Sequence, residues 1–187
     1  MRVIAGSARS MPLRTVKGMD VRPTTDRTKE TLFNMIQFRI PDCRFLDLYA
    51  GSGSIGIEAL SRGASRAVFV EKDRRTQKLI NENLTFTKLA DRAELIGGDV
   101  LSVLPRLAGG EPFDIIFMDP PFNHGLEKET LLLLERMPDL LAPDGLVIAE
   151  ADPKTDFSWL PGTVWNTVSH KIYSRSSHPF LERIHKS

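Results

Sequence analysis

Asp47-Leu48-Tyr49-Ala50-Gly51-Ser52-Gly53-Ser54-Ile55-Gly56 carries the short, mostly apolar run Arg44 to Tyr49 into glycines, and these lead to a helix with Ile55, Ile57, Ala59 and Leu60, stopped by Gly63. Strand, glycine turn and helix in this order open a strand-helix-strand unit, since a parallel neighbour requires a long crossover. Downstream the pattern repeats. Ala67 to Val70 reads as a second strand, and Thr76, Leu79, Ile80, Asn83 and Leu84 recur at helical spacing. A third strand, Ala93 to Ile96, ends in Gly97, Gly98 and Asp99, and Val100, Val103, Leu104 and Leu107 mark a one-faced helix. Phe113 to Met118 is nearly all apolar, as a strand covered on both faces should be. Leu126, Thr130, Leu133, Leu134 and Met137 form a further helical stripe, and Gly145 to Ala149 a fifth strand. Such alternation predicts an α/β fold with a parallel sheet between helices. The tail, Thr163 to Ile184, lacks a helical stripe and is expected to form an antiparallel strand pair. Upstream, Met1 to Lys17 reads as a short hairpin or arm. A helix then follows, capped by Thr25 or Asp26, burying Leu32, Phe33, Met35 and Ile36, and closed by Pro41.

The chain has 187 residues, and at roughly 150 per domain that predicts one domain with a short extension. We place the extension at residues 1–40 and the main domain at 41–187. Hydrophobic residues at 41% and charged residues at 26% match ordinary globular chains and exclude disordered, collagenous and disulfide-built classes. Apolar runs stop at four residues, as in Leu131 to Leu134, against the roughly 20 a membrane helix needs. The start of the chain lacks a signal-peptide core, and Cys43 is the sole cysteine, so a reducing, cytoplasmic setting is expected. The net charge of +1 conceals a gradient, from +5 over residues 1–40 through −7 over 41–165 to +3 over 166–187. Basic ends on an acidic body suit a polyanion, because Lys and Arg displace counterions from phosphates.

Ligands of open α/β sheets bind beyond the carboxyl ends of the strands. The first end carries Asp47 and the glycines, which let backbone N–H groups approach a ligand. The second carries Glu71, 20 residues beyond Gly51, suited to a ribose diol; the third carries Asp99, suited to an adenine. This pattern fits an adenosine-containing cofactor, NAD included. Asp47 favours S-adenosylmethionine, since a carboxylate ahead of the glycines repels a pyrophosphate and attracts the methionine ammonium. The fourth end, Asp119-Pro120-Pro121-Phe122, supplies the chemistry. Exocyclic amines of bases are poor nucleophiles because the lone pair is delocalised into the ring. An Asp oxygen and the Pro120 carbonyl can accept the two N–H groups, the prolines fix φ and bring no competing donor, and Phe122 offers a face for stacking. A sulfonium donor needs no metal, and the four histidines and Cys43 show no ligand spacing.

DLYAGSGSIGIEALSRGA, RPTTDRTKETLFN, VEKD and DIIFMDPPF together resemble the bacterial 16S ribosomal RNA guanine-N2 methyltransferase family of the RsmD type, over about Arg2 to Glu150. The resemblance implies a class I S-adenosylmethionine-dependent methyltransferase fold, Rossmann-like, mostly parallel with a terminal antiparallel hairpin, plus a small N-terminal extension. It implies methylation of N2 of one guanine in 16S rRNA, at the position numbered 966, on an assembled or late-precursor small subunit, with no metal, no membrane and a monomeric enzyme. By position, Asp47, Gly51, Gly53, Glu71 and Asp99 would bind the cofactor, with Tyr49, Lys72 and Val100 as adjoining candidates, and Asp119, Pro120, Pro121 and Phe122 would form the catalytic loop. Arg22, Thr24 and Arg27 would lie near the target base, and Arg9 and Arg14 would contact RNA phosphates. Three departures stand out: Tyr49 where Phe is usual, Ser54 where Ala is common, and a tail with Arg175, His178 and Pro179 but no glycine. Competing expectations are a DNA adenine-N6 methyltransferase, a non-catalytic ribosome assembly factor, and an NAD-dependent oxidoreductase, the last disfavoured by Asp47 and the lack of a Tyr-x-x-x-Lys pair.

Overall fold

Thr25 caps α1 (Asp26–Met35) by accepting the Thr28 N–H on its Oγ1 at 3.1 Å, satisfying one of the donors that a first turn leaves open. The computed structural model describes residues 1–15 and 25–184, which fall into two compact units, Met1–Asp99 and Val100–Ser187. In α1, Leu32 and Phe33 are buried as the sequence predicts, together with Lys29. Met35 departs from the expectation and is 38% exposed. The helix also ends at Met35 rather than at Pro41. Ile36 and Ile40 both sink into the core, on either side of a tight turn at Gln37–Arg39.

In the first unit β1 (Arg44–Leu48), β2 (Arg66–Glu71) and β3 (Ala93–Gly97) run parallel in the order β3-β2-β1. The crossovers are α2 (Ser54–Ser61) and α3 (Arg74–Thr87). Every residue of α2 is buried, which explains why its sequence shows no single apolar face. The N-terminal hairpin is present in minimal form, one antiparallel bridge between Arg2 and Pro12. It lies along α2: Ser7 N–H donates to Ser61 O, Ala8 N–H to Ser61 Oγ, and Ile4 and Ala5 N–H to Glu58. Phe45 and Phe69 are at most 1% exposed, each burial stabilising by about 1.5–3 kcal/mol.

The second unit contains α4 (Val100–Leu107), β4 (Phe113–Met118), α5 (Leu126–Glu135), β5 (Leu141–Ala149), β6 (Trp165–Ile172) and β7 (Ser177–Arg183). β4 and β5 are parallel, while β7 is antiparallel to both β5 and β6, the expected terminal hairpin. β5 begins at Leu141 instead of Gly145, its first residues pairing irregularly, with a register shift between Phe113 and Ile115 of β4. In α5 the buried residues are Thr130, Leu131 and Leu134, so Leu131 takes the place expected for Leu133, and Met137 falls beyond the helix. Trp165 fixes that rotation by donating Nε1–H to the Leu131 carbonyl at 3.1 Å. No helix among the described residues is long and apolar enough to cross a membrane.

Candidate active site

Parallel strands share polarity, so the carboxyl ends of β1, β2 and β3 lie along one edge of the first unit. Beyond β1 the backbone enters the left-handed region at Tyr49 (φ 60°), Gly51 (φ 54°) and Gly53 (φ 76°). For tyrosine this conformation is costly, and such outliers gather at functional sites. A Cβ at Gly51 would meet only Tyr49 O, at 4.0 Å, so the space over the loop is open. Glu71 braces the turn. Its Oε2 accepts Gly51 N–H at 2.9 Å and its Oε1 accepts Asp73 N–H at 2.8 Å, leaving each carboxylate oxygen capacity for a further donor such as a ribose hydroxyl.

Asp47 is 2% exposed and accepts Gly56 N–H at 2.9 Å, tying the strand end to the first turn of α2. Burial pushes its carboxyl up to about 8; the Gly56 N–H opposes this and the nearby Glu71 charge adds to it. A cationic ligand group beside Asp47 would favour the ionised form. Asp99, two residues beyond β3, is exposed, and Lys72 Nζ lies 3.5 Å from its Oδ2 in an open ion pair. The Val100 side chain is buried in the first turn of α4. Asp73 caps α3 through Thr76 N–H at 2.8 Å, and that bond above all holds its carboxyl below the usual range.

In the second unit β4 delivers Asp119 and Phe122, half-buried, with Pro120 buried and Pro121 exposed. The turn continues through Asn123, also left-handed at φ 64°. Arg9, Arg14 and Arg27 are exposed, and Arg14 pairs with Glu82 at 2.9 Å. Arg22, Thr24 and Lys17 lie outside the described residues. Among the described residues no group of three or more His, Cys, Asp or Glu is placed to hold a metal.

Sequence reasoning missed the charges inside the first unit. Glu58 and Lys29 are fully buried, 3.4 Å apart, with Arg62 Nε 2.8 Å from Glu58. A lone carboxylate within the apolar run IGIEAL was the available signal. Missed as well was a buried Glu150–His178 pair in the second unit.

A glycine turn braced by the acid of the next strand, on a mostly parallel α/β scaffold with a terminal antiparallel hairpin, defines a class I methyltransferase, and S-adenosylmethionine is its cofactor. The family model described as "Conserved hypothetical protein 95" matches residues 1–182. The chain belongs to this family, the RsmD type of small-subunit ribosomal RNA methyltransferase. The chain is 36% identical over 183 residues to Ribosomal RNA small subunit methyltransferase D of Escherichia coli strain K12, covering 98% of this chain and 90% of that protein. It is 40% identical over 169 residues to YlbH of Bacillus subtilis strain 168, a candidate rRNA methyltransferase, covering 90% of each. Among solved structures, the candidate methyltransferase yhhF of Escherichia coli superposes with a TM-score of 0.87 at 35% identity, covering 100% of this chain and 99% of that one.

Proposed function

We propose that this enzyme methylates the exocyclic N2 of one specific guanine in 16S rRNA, the position numbered 966, within an assembled or late-precursor small subunit in the cytoplasm. The observation that carries the reading is the Asp119-Pro120-Pro121-Phe122 turn at the end of β4, in a chain whose relatives are named as ribosomal RNA small subunit methyltransferases. Asp47, Tyr49, Gly51, Gly53, Glu71, Lys72, Asp99 and Val100 hold the cofactor. When bound, S-adenosylmethionine would supply an electrophilic methyl group with a neutral thioether as its leaving group, and N2, held by Asp119 and Pro120, would lose one proton to solvent. Asp119 and the Pro120 carbonyl accept the two N2–H groups and turn the lone pair out of the ring. Phe122 stacks on the base. The contribution of these groups is orientation and preorganised charge. The guanine must be unpaired or extruded to be gripped in this way. Arg9, Arg14, Arg22, Thr24 and Arg27 contact the RNA, the arginines chiefly through phosphates.

Mass mapping of methylated guanines in small-subunit RNA, with and without the protein, tests the reading, alongside labelled methyl transfer to small subunits and to genomic DNA. Label at one guanine of 16S rRNA is expected; label in DNA alone refutes it. Asp119→Ala is expected to lower turnover about 10²-fold or more with cofactor affinity little changed. Loss of both would assign Asp119 a structural role.

A further inference from the structure

A second set of titratable side chains lies where the carboxyl end of β5 meets the amino end of β7, beside the catalytic turn. Glu150 N–H donates to the Met118 carbonyl at 2.7 Å, one ladder step from Asp119. Ile148 pairs with Phe180 and the Ala151–Ser177 bridge keeps the same register, so His178 stands opposite Glu150. His178 Nε2 is 3.3 Å from Glu150 Oε2, with side-chain exposures of 0% and 7%. The contact is within ion-pair reach but off the angle of a hydrogen bond. Neither ring nitrogen of His178, nor Tyr173 Oη, has a hydrogen-bond partner among the described residues. The rings of Tyr173 and His178 meet edge to face at 5.3 Å. Burial first, then the Glu150 charge, raises the Tyr173 hydroxyl above its ordinary range.

Unpartnered buried polar atoms are costly and call for an explanation. Here they belong to His178 and Tyr173 beside Glu150, whose carboxylate, next to the turn that carries Asp119, keeps 7% exposure for a ligand. Guanine presents O6 as an acceptor beside N1–H and the N2 amine, both donors; adenine presents an acceptor at N1. Asp119 and Pro120 engage N2, and N1–H, once taken out of water by the base pocket, then needs an acceptor of its own. We propose that Glu150, held in place by His178, is that acceptor and so the residue that makes the site read guanine. The inference rests on the guanine-N2 reading above. A carboxylate has about four acceptor positions, enough to face His178 and N1–H together. A base without N1–H turns a lone pair toward the Glu150 carboxylate and is disfavoured by about 10²-fold, the worth of a hydrogen bond to a charged group.

Small subunits reconstituted with RNA bearing guanine or 2-aminopurine at the mapped position present the same N2 amine with and without N1–H and O6, and the Glu150 variants isolate the N1–H part. The wild type is expected to favour guanine about 10²-fold in kcat/KM. Glu150→Gln, whose amide can donate to a bare N1, is expected to narrow the preference below tenfold while binding S-adenosylhomocysteine as the wild type does. His178→Phe keeps a ring in the same space and is expected to narrow it too, by releasing Glu150. Should Glu150→Gln fail to fold, Glu150→Asp withdraws the acceptor by one methylene, and guanine turnover should fall while 2-aminopurine turnover holds. An active wild type whose preference is untouched by the Glu150 variant overturns this inference alone. A wild type that methylates no guanine overturns the guanine-N2 reading, and this inference with it.

Discussion

Glu58→Gln keeps the shape of a fully buried side chain and removes its charge. Glu58 accepts Ile4 N–H at 2.8 Å, Ala5 N–H at 3.0 Å and Arg62 Nε–H at 2.8 Å, and faces Lys29 Nζ at 3.4 Å. Lys29, equally buried, donates to the Arg2 carbonyl at 2.6 Å. Burial is the largest influence on Lys29 and holds its ammonium below the ordinary 10.5, with the charge and hydrogen bond of Glu58 opposing it. Without the carboxylate a buried cation stands uncompensated, which costs about 3–5 kcal/mol. At about 2–4 °C per kcal/mol for a chain of this size, Tm should fall by roughly 6–20 °C. The sign with pH follows from the same shift. An unfolded chain keeps the Lys29 proton to higher pH than the folded one does, so stability rises with pH through the window below 10.5. The variant widens that window, and its deficit should shrink on going from neutral to alkaline buffer. Thermal unfolding by circular dichroism at two pH values measures both, and amide exchange should quicken at Ile4 and Ala5 while Phe69 in β2 stays protected. An unchanged Tm, or a deficit that grows with pH, refutes the reasoning.

Asp47 binds a proton in the folded chain that the unfolded chain releases above its ordinary 3.8, up to about 8. Stability should therefore decline as pH rises through that window, by up to about 1.4 kcal/mol per pH unit, and Asp47→Asn should flatten the decline in urea titrations; an equally steep slope in the variant counts against it. Gly56→Ala would drive a Cβ into the Phe69 ring in the core. Overpacking of about 1–3 kcal/mol should outweigh the roughly 1 kcal/mol gain in helix propensity, lowering the urea midpoint, and a raised midpoint would contradict this. Reversing Arg9 and Arg14 to Glu should weaken small-subunit binding and make its salt dependence shallower. An unchanged slope removes the hairpin from the RNA interface.

Much of the first unit was legible because its signals are local. The glycine turn, the cap at Thr25 and the near-continuous apolar strands each depend on residues a few positions apart. The errors fall where a local pattern fits two rotations or two endings equally well. In Leu131-Leu132-Leu133-Leu134 several apolar side chains compete for one face, and the Trp165 bond to the Leu131 carbonyl selects it. Met35 continues the α1 stripe in sequence yet stays at the surface, because Ile36 and Ile40 turn inward after it. The glycine loop and the Asp-Pro-Pro-Phe turn stood out as motifs, whereas the partners that brace or adjoin them did not.

The order of strands and helices, the parallel arrangement and the residue types at the strand ends were determined by the sequence alone, since apolar periodicity and turn chemistry act over short stretches of chain. Only the tertiary structure decided which charges go inside. Glu58 meets Ile4 across 54 residues and Glu150 meets His178 across a strand register; no periodicity encodes such meetings, and burial makes a charge depend on whichever partner the fold brings to it.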